Sequence, residues 1–158
     1  MTRLLVLEDD PQMQTLLVML FEDAAYDVMT AMQDDALSAA LAHPKIVVVG
    51  CDGTGTFEPG WQVAELLRRQ LPAATMIMLS TNARAVHEVG HTVRGRLFDA
   101  GMRKPFVVSD LLACVAACHA TQSQWPGSGV AASPRRGDPP QISHITREPG
   151  LVYLGPDE

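Results

Sequence analysis

Acidic, hydroxyl and basic side chains follow apolar runs at several separate points of this sequence. Glu8 and Asp9 come directly after one run, Asp52 and Ser80 come after two later runs, and Lys104 follows a much shorter one. Carboxylate oxygens are the ligands that hard cations such as Mg²⁺ prefer, and a lysine adds a compact positive charge for phosphate. If folding brings these residues together, they form a site for a divalent cation and a phosphoryl group.

The apolar runs that precede these side chains have the length of buried strands, and segments with helical spacing of apolar residues separate them. The predicted strands are Leu4 to Leu7, Tyr26 to Ala31, Ile46 to Val49, Thr75 to Leu79 and a short strand around Gly101-Met102. Strict alternation of strand and helix favours an α/β fold with a doubly wound parallel sheet, because each right-handed crossover places its helix on a face of the sheet.

Local signals delimit some of the five predicted helices. Asp10 followed by Pro11 is typical of a helix start, and Ser109 is expected to cap the fifth helix. The fourth helix is predicted over 82 to 98, although two glycines weaken it. In open parallel sheets, ligands collect outside the carboxyl ends of the strands, which is where the polar side chains described above are expected to arrive.

Composition limits the class of protein. The chain has 158 residues, 47% of them hydrophobic, which suits one compact domain. Its net charge of -6 argues against nucleic acid and anionic membranes as partners. Three cysteines, no signal-peptide pattern and no apolar run of membrane-spanning length predict a cytoplasmic protein with buried thiols at Cys114 and Cys118.

The composition of the chain changes after residue 120. Proline, glycine and serine become frequent there, and the apolar residues no longer recur at helical or strand spacing. We therefore expect one domain over 1–120 and an irregular tail over 121–158. The stretch from Ile142 to Leu154 is apolar enough for a hairpin across Glu148-Pro149-Gly150, but too short for a core of its own. This segment would have to dock on the domain or stay mobile.

Four motifs in order resemble the receiver domain of bacterial response regulators over about 3 to 119. They are Leu-Val-Leu-Glu-Asp-Asp-Pro (5 to 11), Gly-Trp-Gln-Val-Ala-Glu-Leu-Leu-Arg (60 to 68), Ile-Met-Leu-Ser (77 to 80) and Lys-Pro-Phe (104 to 106). The resemblance implies a flavodoxin-like five-stranded sheet in the order 2-1-3-4-5. It also implies a phosphorelay function, with a phosphoryl group received from a sensor histidine kinase or a phosphotransfer protein.

The resemblance also implies residue roles. Asp52 would be the phosphoryl acceptor, with Lys104 in contact with it and Ser80 turning toward the phosphoryl group. Mg²⁺ would be held by Glu8, Asp9, Asp52 and Thr54, and the Lys104-Pro105 peptide would be cis. The protein would then be a phosphoryl acceptor and not an enzyme beyond self-catalysed phosphorylation and dephosphorylation. It would signal through a downstream protein or a homodimer that contacts the fourth helix, fifth strand and fifth helix.

The position of the acceptor depends on which anchor is counted from. Counting back from Gly60-Trp61 selects Asp52, whereas counting forward from Pro44 selects Gly50, which cannot be phosphorylated. Asp52 is favoured, because a third strand can run two residues longer more easily than the nucleophile can be absent from an otherwise intact acid cluster. The alternative is that Asp52 is only a turn residue before Gly53. The sequence also departs from the family at Thr56, where proline is usual, and before Lys104, where Gly101 or Met102 replaces an aromatic residue.

Other interpretations remain open at this stage. The chain is alternatively an atypical receiver that takes no phosphate and acts as a protein-interaction module. A flavodoxin-like enzyme or nucleotide binder is disfavoured because acids, and not a glycine-rich loop, follow the first strand. The spacing of His87 and His91 is that of a zinc pair, but no third ligand is evident. The stretch from 146 to 154 resembles the end of a winged-helix domain, so the tail is interpreted as a remnant of a lost output domain.

Overall fold

The computed structural model describes residues 1–52, 59–92, 95–123 and 152–153. The strands are β1 (Arg3–Leu7), β2 (Asp27–Ala31), β3 (Ile46–Gly50), β4 (Thr75–Ser80), β5 (Ala100–Arg103) and β6 (Val152–Tyr153). The helices are α1 (Pro11–Asp23), α2 (Ala36–Ala40), α3 (Pro59–Gln70), α4 (Ala83–Glu88) and α5 (Val108–Ser123), with 3₁₀ turns at Gln33–Asp35 and Gly95–Leu97. The predicted alternation of strand and helix is confirmed.

All strand pairs are parallel, and the sheet order is β2-β1-β3-β4-β5-β6. The predicted order 2-1-3-4-5 is therefore confirmed, and β6 adds a sixth strand at the outer edge of β5. This strand lies in the stretch from Ile142 to Leu154, which the sequence marked as apolar enough for a hairpin that would dock or stay mobile. The proposed hairpin across 148 to 150 lies outside the described residues.

Helices cover both faces of the central strands. Leu4, Val6 and their counterparts on the other strands pack against α1 and α5, where Leu17 and Phe21 are fully buried. The alternate side chains, such as Leu5, pack against α2, α3 and α4 in a second apolar cluster. β1, β3 and β4 are buried along nearly their whole length, which explains why their sequences are apolar runs without alternation.

Three local expectations differ from the structure. The fourth helix is only Ala83–Glu88, because Val89 leaves the helical conformation with ψ 122 and Gly90 follows at φ 79. Ser109 does not cap α5, which begins one residue earlier at Val108. α5 also runs to Ser123, past the boundary predicted at residue 120. Asp10 does cap α1, and its carboxylate accepts hydrogen bonds from the next two free backbone N–H groups.

Candidate functional site

The register of the sheet brings the carboxyl ends of β1, β3, β4 and β5 to one edge. Leu7 pairs with Val49, Gly50 pairs with Leu79, and Ser80 pairs with Arg103. The residues at or just after the ends of these strands therefore lie close to one another. Glu8, Ser80 and Lys104 reach the same place for this reason, although they are far apart in the sequence.

Lys104 is the centre of the cluster. Its ammonium nitrogen Nζ lies 2.7 Å from Glu8 Oε2 and 2.6 Å from Asp52 Oδ2. The Lys104 and Glu8 side chains are buried, whereas the Asp52 side chain is 31% exposed. Burial would lower the pKa of Lys104, but the hydrogen bonds and charges of Asp52 and Glu8 outweigh it, so the pKa is raised above 10.5. The lysine is held charged between two carboxylates.

The other oxygen of Asp52 faces the end of β4. Oδ1 accepts hydrogen bonds from the backbone N–H of Thr81 at 2.6 Å, from Thr81 Oγ1 at 2.9 Å and from Ser80 Oγ at 3.3 Å. Burial alone would raise the pKa of Asp52, but Lys104 and these Thr81 donors lower it below 3.8. Thr81 was not among the residues predicted from sequence, because nothing but its place after Ser80 signals its role.

The third strand does not run two residues longer, as the sequence argument for Asp52 supposed. β3 ends at Gly50, and Cys51 extends the pairing only by donating its N–H to Leu79 O at 2.8 Å. Asp52 nevertheless contacts Lys104 and Ser80, because the chain after Gly50 continues along the end of β4. The reason given from sequence was wrong, although the predicted neighbours of Asp52 are present.

Gly50 occupies the end of β3, and the Glu8 carboxylate fills the space beside it. A Cβ added to Gly50 would overlap Glu8 Oε2 and lie 2.8 Å from Glu8 Cδ. Glu8 Oε1 accepts the backbone N–H of Asp10 at 3.1 Å, so both oxygens of this buried carboxylate have donors. The space beside the end of β3 is therefore filled by a side chain that reaches over from the end of β1.

Asp9 lies apart from the lysine. Its carboxylate is exposed and accepts the backbone N–H of Gln33 at 3.3 Å. The side chain of Gln33 donates to the Gly50 carbonyl at 2.8 Å and so joins the loop after β2 to the end of β3. Gln33 is a second residue of the site that the sequence did not single out.

The acidic side chains at this edge of the sheet match the ligand preference of Mg²⁺. Asp9, Glu8 and Asp52 supply the hard carboxylate oxygens that this ion prefers. Within residues 1–52, 59–92, 95–123 and 152–153, however, no three His, Cys, Asp or Glu side chains converge as a metal site. Thr54, predicted as a further ligand, lies outside the described residues. The donor chemistry suits the ion, and in this arrangement Glu8 and Asp52 both pair with Lys104.

Other predicted features have simple structural explanations. The Lys104-Pro105 peptide is cis, as expected. His87 and His91 are exposed with their rings stacked at 5.0 Å. Cys114 is buried between α5 and the sheet, whereas Cys118, also predicted to be buried, is only partly buried. No described helix is long and apolar enough to cross a membrane.

Comparison with solved structures identifies the fold. A receiver-domain protein from Methanospirillum hungatei has a TM-score of 0.63 and 20% identity, and the match covers 78% of this chain and 97% of that one. The chain has the response-regulator receiver fold. The receiver-fold regulator TrrA from Thermotoga maritima, solved with Mg²⁺-BeF, matches with a TM-score of 0.63, 22% identity and coverage of 75% and 99%.

A longer protein also contains this receiver fold. NtrX from Brucella abortus matches with a TM-score of 0.66 and 22% identity over 78% of this chain, and the match spans 28% of the length of NtrX. No protein-family model matches the sequence, and no curated protein matches it. At these identities the comparisons establish the receiver fold, and the chemistry of the site must be argued from its own residues.

Proposed function

We propose that this chain is a receiver module of two-component signal transduction that accepts a phosphoryl group on Asp52. The donor would be a sensor histidine kinase or a phosphotransfer protein. The observation that carries the proposal is the 2.6 Å contact between Lys104 Nζ and Asp52 Oδ2 at the carboxyl end of the sheet. A partly exposed carboxylate beside a buried lysine and a serine is the arrangement that phosphoryl acceptance requires.

The transfer follows from ordinary phosphoryl chemistry. An oxygen of Asp52 attacks phosphorus, the bond from phosphorus to the donor's histidine nitrogen breaks with its electron pair left on that nitrogen, and an acyl phosphate forms. Asp52 is 31% exposed, so a donor can approach it, and its lowered pKa keeps it ionised at neutral pH. Lys104 would compensate the negative charge of the phosphoryl oxygens.

Mg²⁺ is part of the proposal, with Glu8, Asp9, Asp52 and Thr54 as the residues that would hold it. When bound, the ion neutralises charge on the phosphoryl group. Because Glu8 and Asp52 pair with Lys104, the ion would have to share these carboxylates with the lysine or displace it from one of them. The dependence of phosphorylation on Mg²⁺ is therefore a separate measurement.

Signalling would pass through the loop that follows β4. Asp52 Oδ1 accepts hydrogen bonds from the backbone N–H and the hydroxyl of Thr81. Ser80 Oγ accepts the backbone N–H of Asn82, which caps α4. A phosphoryl group on Asp52 would compete for these donors and move the start of α4. We propose that a downstream protein or a second copy binds the face formed by α4, β5 and α5, in the cytoplasm and without direct contact to nucleic acid or membrane.

The test is phosphorylation by a small donor. The protein is incubated with acetyl phosphate, with Mg²⁺ or with EDTA, and intact mass is read for one added phosphoryl group. We expect a gain with Mg²⁺ that Asp52→Asn abolishes. Asp10→Asn is the matched control, because asparagine also caps helices and this change should leave the gain intact. A gain that survives Asp52→Asn would contradict the assignment of the acceptor.

A second candidate is an atypical receiver that signals without phosphate, and the Gly50–Glu8 arrangement favours it. Glu8 already neutralises Lys104 from within the fold, at 2.7 Å, where a phosphorylatable residue at position 50 would otherwise lie. This candidate predicts no mass gain for the folded wild type. It also predicts that the double variant Glu8→Ala/Gly50→Asp gains a phosphoryl group, because the space and the charge are then restored.

A further inference from the structure

We infer that the outer edge of β5 is a strand-docking site and that its occupant is the C-terminal segment of the same chain, at Val152–Tyr153. β6 pairs in parallel with β5, with Gly101 opposite Val152 and Met102 opposite Tyr153. The inference concerns how the tail occupies the receiver module and does not depend on phosphorylation.

β5 has only its outer edge left for a further partner. Its inner edge pairs with β4, where Met78 lies opposite Gly101 and Leu79 lies opposite Met102. One face is covered by α4, since a Cβ on Gly101 would lie 2.8 Å from Val89 Cγ2, and Met102 is fully buried in the cluster of the opposite face. What remains is a row of backbone N–H and C=O groups, which pairs readily with any extended segment.

Covering such an edge has a physical purpose. An unpaired edge strand is a template for pairing with another chain, and proteins commonly cover it with a segment of their own. β5 is only four residues long and carries no charge before Arg103, so its own side chains protect it poorly. The tail supplies the missing cover through backbone pairing, and that pairing does not require a core of its own.

The tail is long enough to reach this edge from the end of α5. α5 ends at Ser123 and β6 begins at Val152. A linker of this length spans on the order of 90 Å when fully extended, far more than the width of one domain. The segment can therefore dock on its own chain, and a second copy is not needed to provide it.

Docking at this place would compete with partners of the receiver module. The covered edge belongs to the α4, β5 and α5 face, and the suggestion that partners bind there rests on the proposed function. Two residues of pairing make few hydrogen bonds, so another extended segment can displace them. The tail would then act as an intrachain occupant that keeps the edge closed until a partner strand replaces it.

The experiment is hydrogen–deuterium exchange on the full chain, followed over the peptide that contains Ala100–Arg103. The variant Val152→Pro/Tyr153→Pro removes two backbone donors from β6. The control Val130→Pro/Ala131→Pro places the same number of prolines elsewhere in the tail. We expect exchange of the β5 peptide to accelerate about tenfold or more in the first variant, because lost edge pairing opens these amides, and to stay unchanged in the control.

A synthetic peptide with the sequence from 146 to 154 provides the second arm. Added to the Val152→Pro/Tyr153→Pro variant, it should restore protection of β5, and a peptide with the same two prolines should not. Equal exchange in the wild type and the strand variant would overturn the inference. So would loss of protection on dilution of the wild type, because the occupant would then be a second copy. Neither arm of this experiment contains a phosphodonor, so the two proposals fail separately.

Discussion

At the scale of single residues, the site is governed by one positive and two negative charges. Lys104 and Glu8 are both buried, so loss of Lys104 would leave the Glu8 charge unpaired and away from water. Breaking a buried pair by removing one partner typically costs about 3–5 kcal/mol, whereas replacing both by uncharged groups costs much less. The pair therefore fixes the geometry of the strand ends more than it adds stability.

Removing Lys104 alone should be more damaging than removing the pair. We expect Lys104→Met to lower the free energy of unfolding by about 3 kcal/mol, because Glu8 remains buried and unpaired. In the double variant Glu8→Gln/Lys104→Met, the loss of unfolding free energy should be smaller than in Lys104→Met by at least about 1 kcal/mol. Urea denaturation of the wild type, both single variants and the double variant measures the coupling. Additive losses would show that the two charges do not depend on each other.

The pairing of Asp52 also makes stability depend on pH. Its pKa in the folded protein lies below the ordinary 3.8, so its contribution is present above that pH and is lost as the pH falls through the folded pKa. The stability difference between wild type and Asp52→Asn should therefore shrink as the pH is lowered from about 5 to about 2. Denaturation at several pH values tests this, and the trend should weaken in a Lys104→Met background.

The contribution of Lys104 has the opposite sign. Its folded pKa lies above 10.5, so the stabilisation is fully present below that pH and is lost as the pH rises through the folded value. At neutral pH Lys104 and Asp52 are both ionised. The charge cluster is thus complete across the range in which the proposed chemistry would take place.

At the scale of elements, the packing of α4 on β5 depends on a glycine. Gly101 has no Cβ, so Val89, just after α4, can pack directly onto the strand. α4 itself is short and ends at Glu88. The position of this helix on β5 therefore depends on the close contact of Val86 and Val89 with Gly101.

Adding a methyl group at this contact should move α4. We expect Gly101→Ala to lower the free energy of unfolding by about 1–3 kcal/mol, since its Cβ would lie 2.8 Å from Val89 Cγ2 in a closely packed region. The double variant Gly101→Ala/Val89→Ala should recover part of this loss. Thermal or urea unfolding measures both, and an equal loss in single and double variants would place the strain elsewhere.

At the scale of the whole molecule, stability resides in the two apolar clusters and not in β6. Phe21→Ala should lower the free energy of unfolding by about 3–5 kcal/mol, because Phe21 is fully buried and stacks edge-on with Tyr26 at 5.9 Å. Val152→Pro/Tyr153→Pro should cost clearly less, since it removes only backbone pairing over two residues. Urea denaturation measures the free energy of unfolding of the two variants. A similar loss in both would show that β6 belongs to the cooperatively folding core.

The sequence was sufficient for the architecture. Buried strands of a parallel sheet are apolar on both faces, so Ile46 to Val49 and Thr75 to Leu79 could be recognised without knowing their neighbours. Asp10 and Pro11 marked the start of α1 by local hydrogen bonding alone. The edge where Glu8, Ser80 and Lys104 meet then followed from the rule that parallel strands end together.

Tertiary structure decided what sequence spacing could not. Whether Gly50 or Asp52 lies at the end of β3 depends on the register between strands, and pairing of Gly50 with Leu79 settles it. That Glu8 fills the space beside Gly50 depends on a side chain reaching across from β1. The docking of Val152–Tyr153 on β5 depends on backbone groups, which every residue type shares. The type of a residue does not specify which strand edge or which neighbouring strand it contacts. These contacts are therefore seen only in the folded chain.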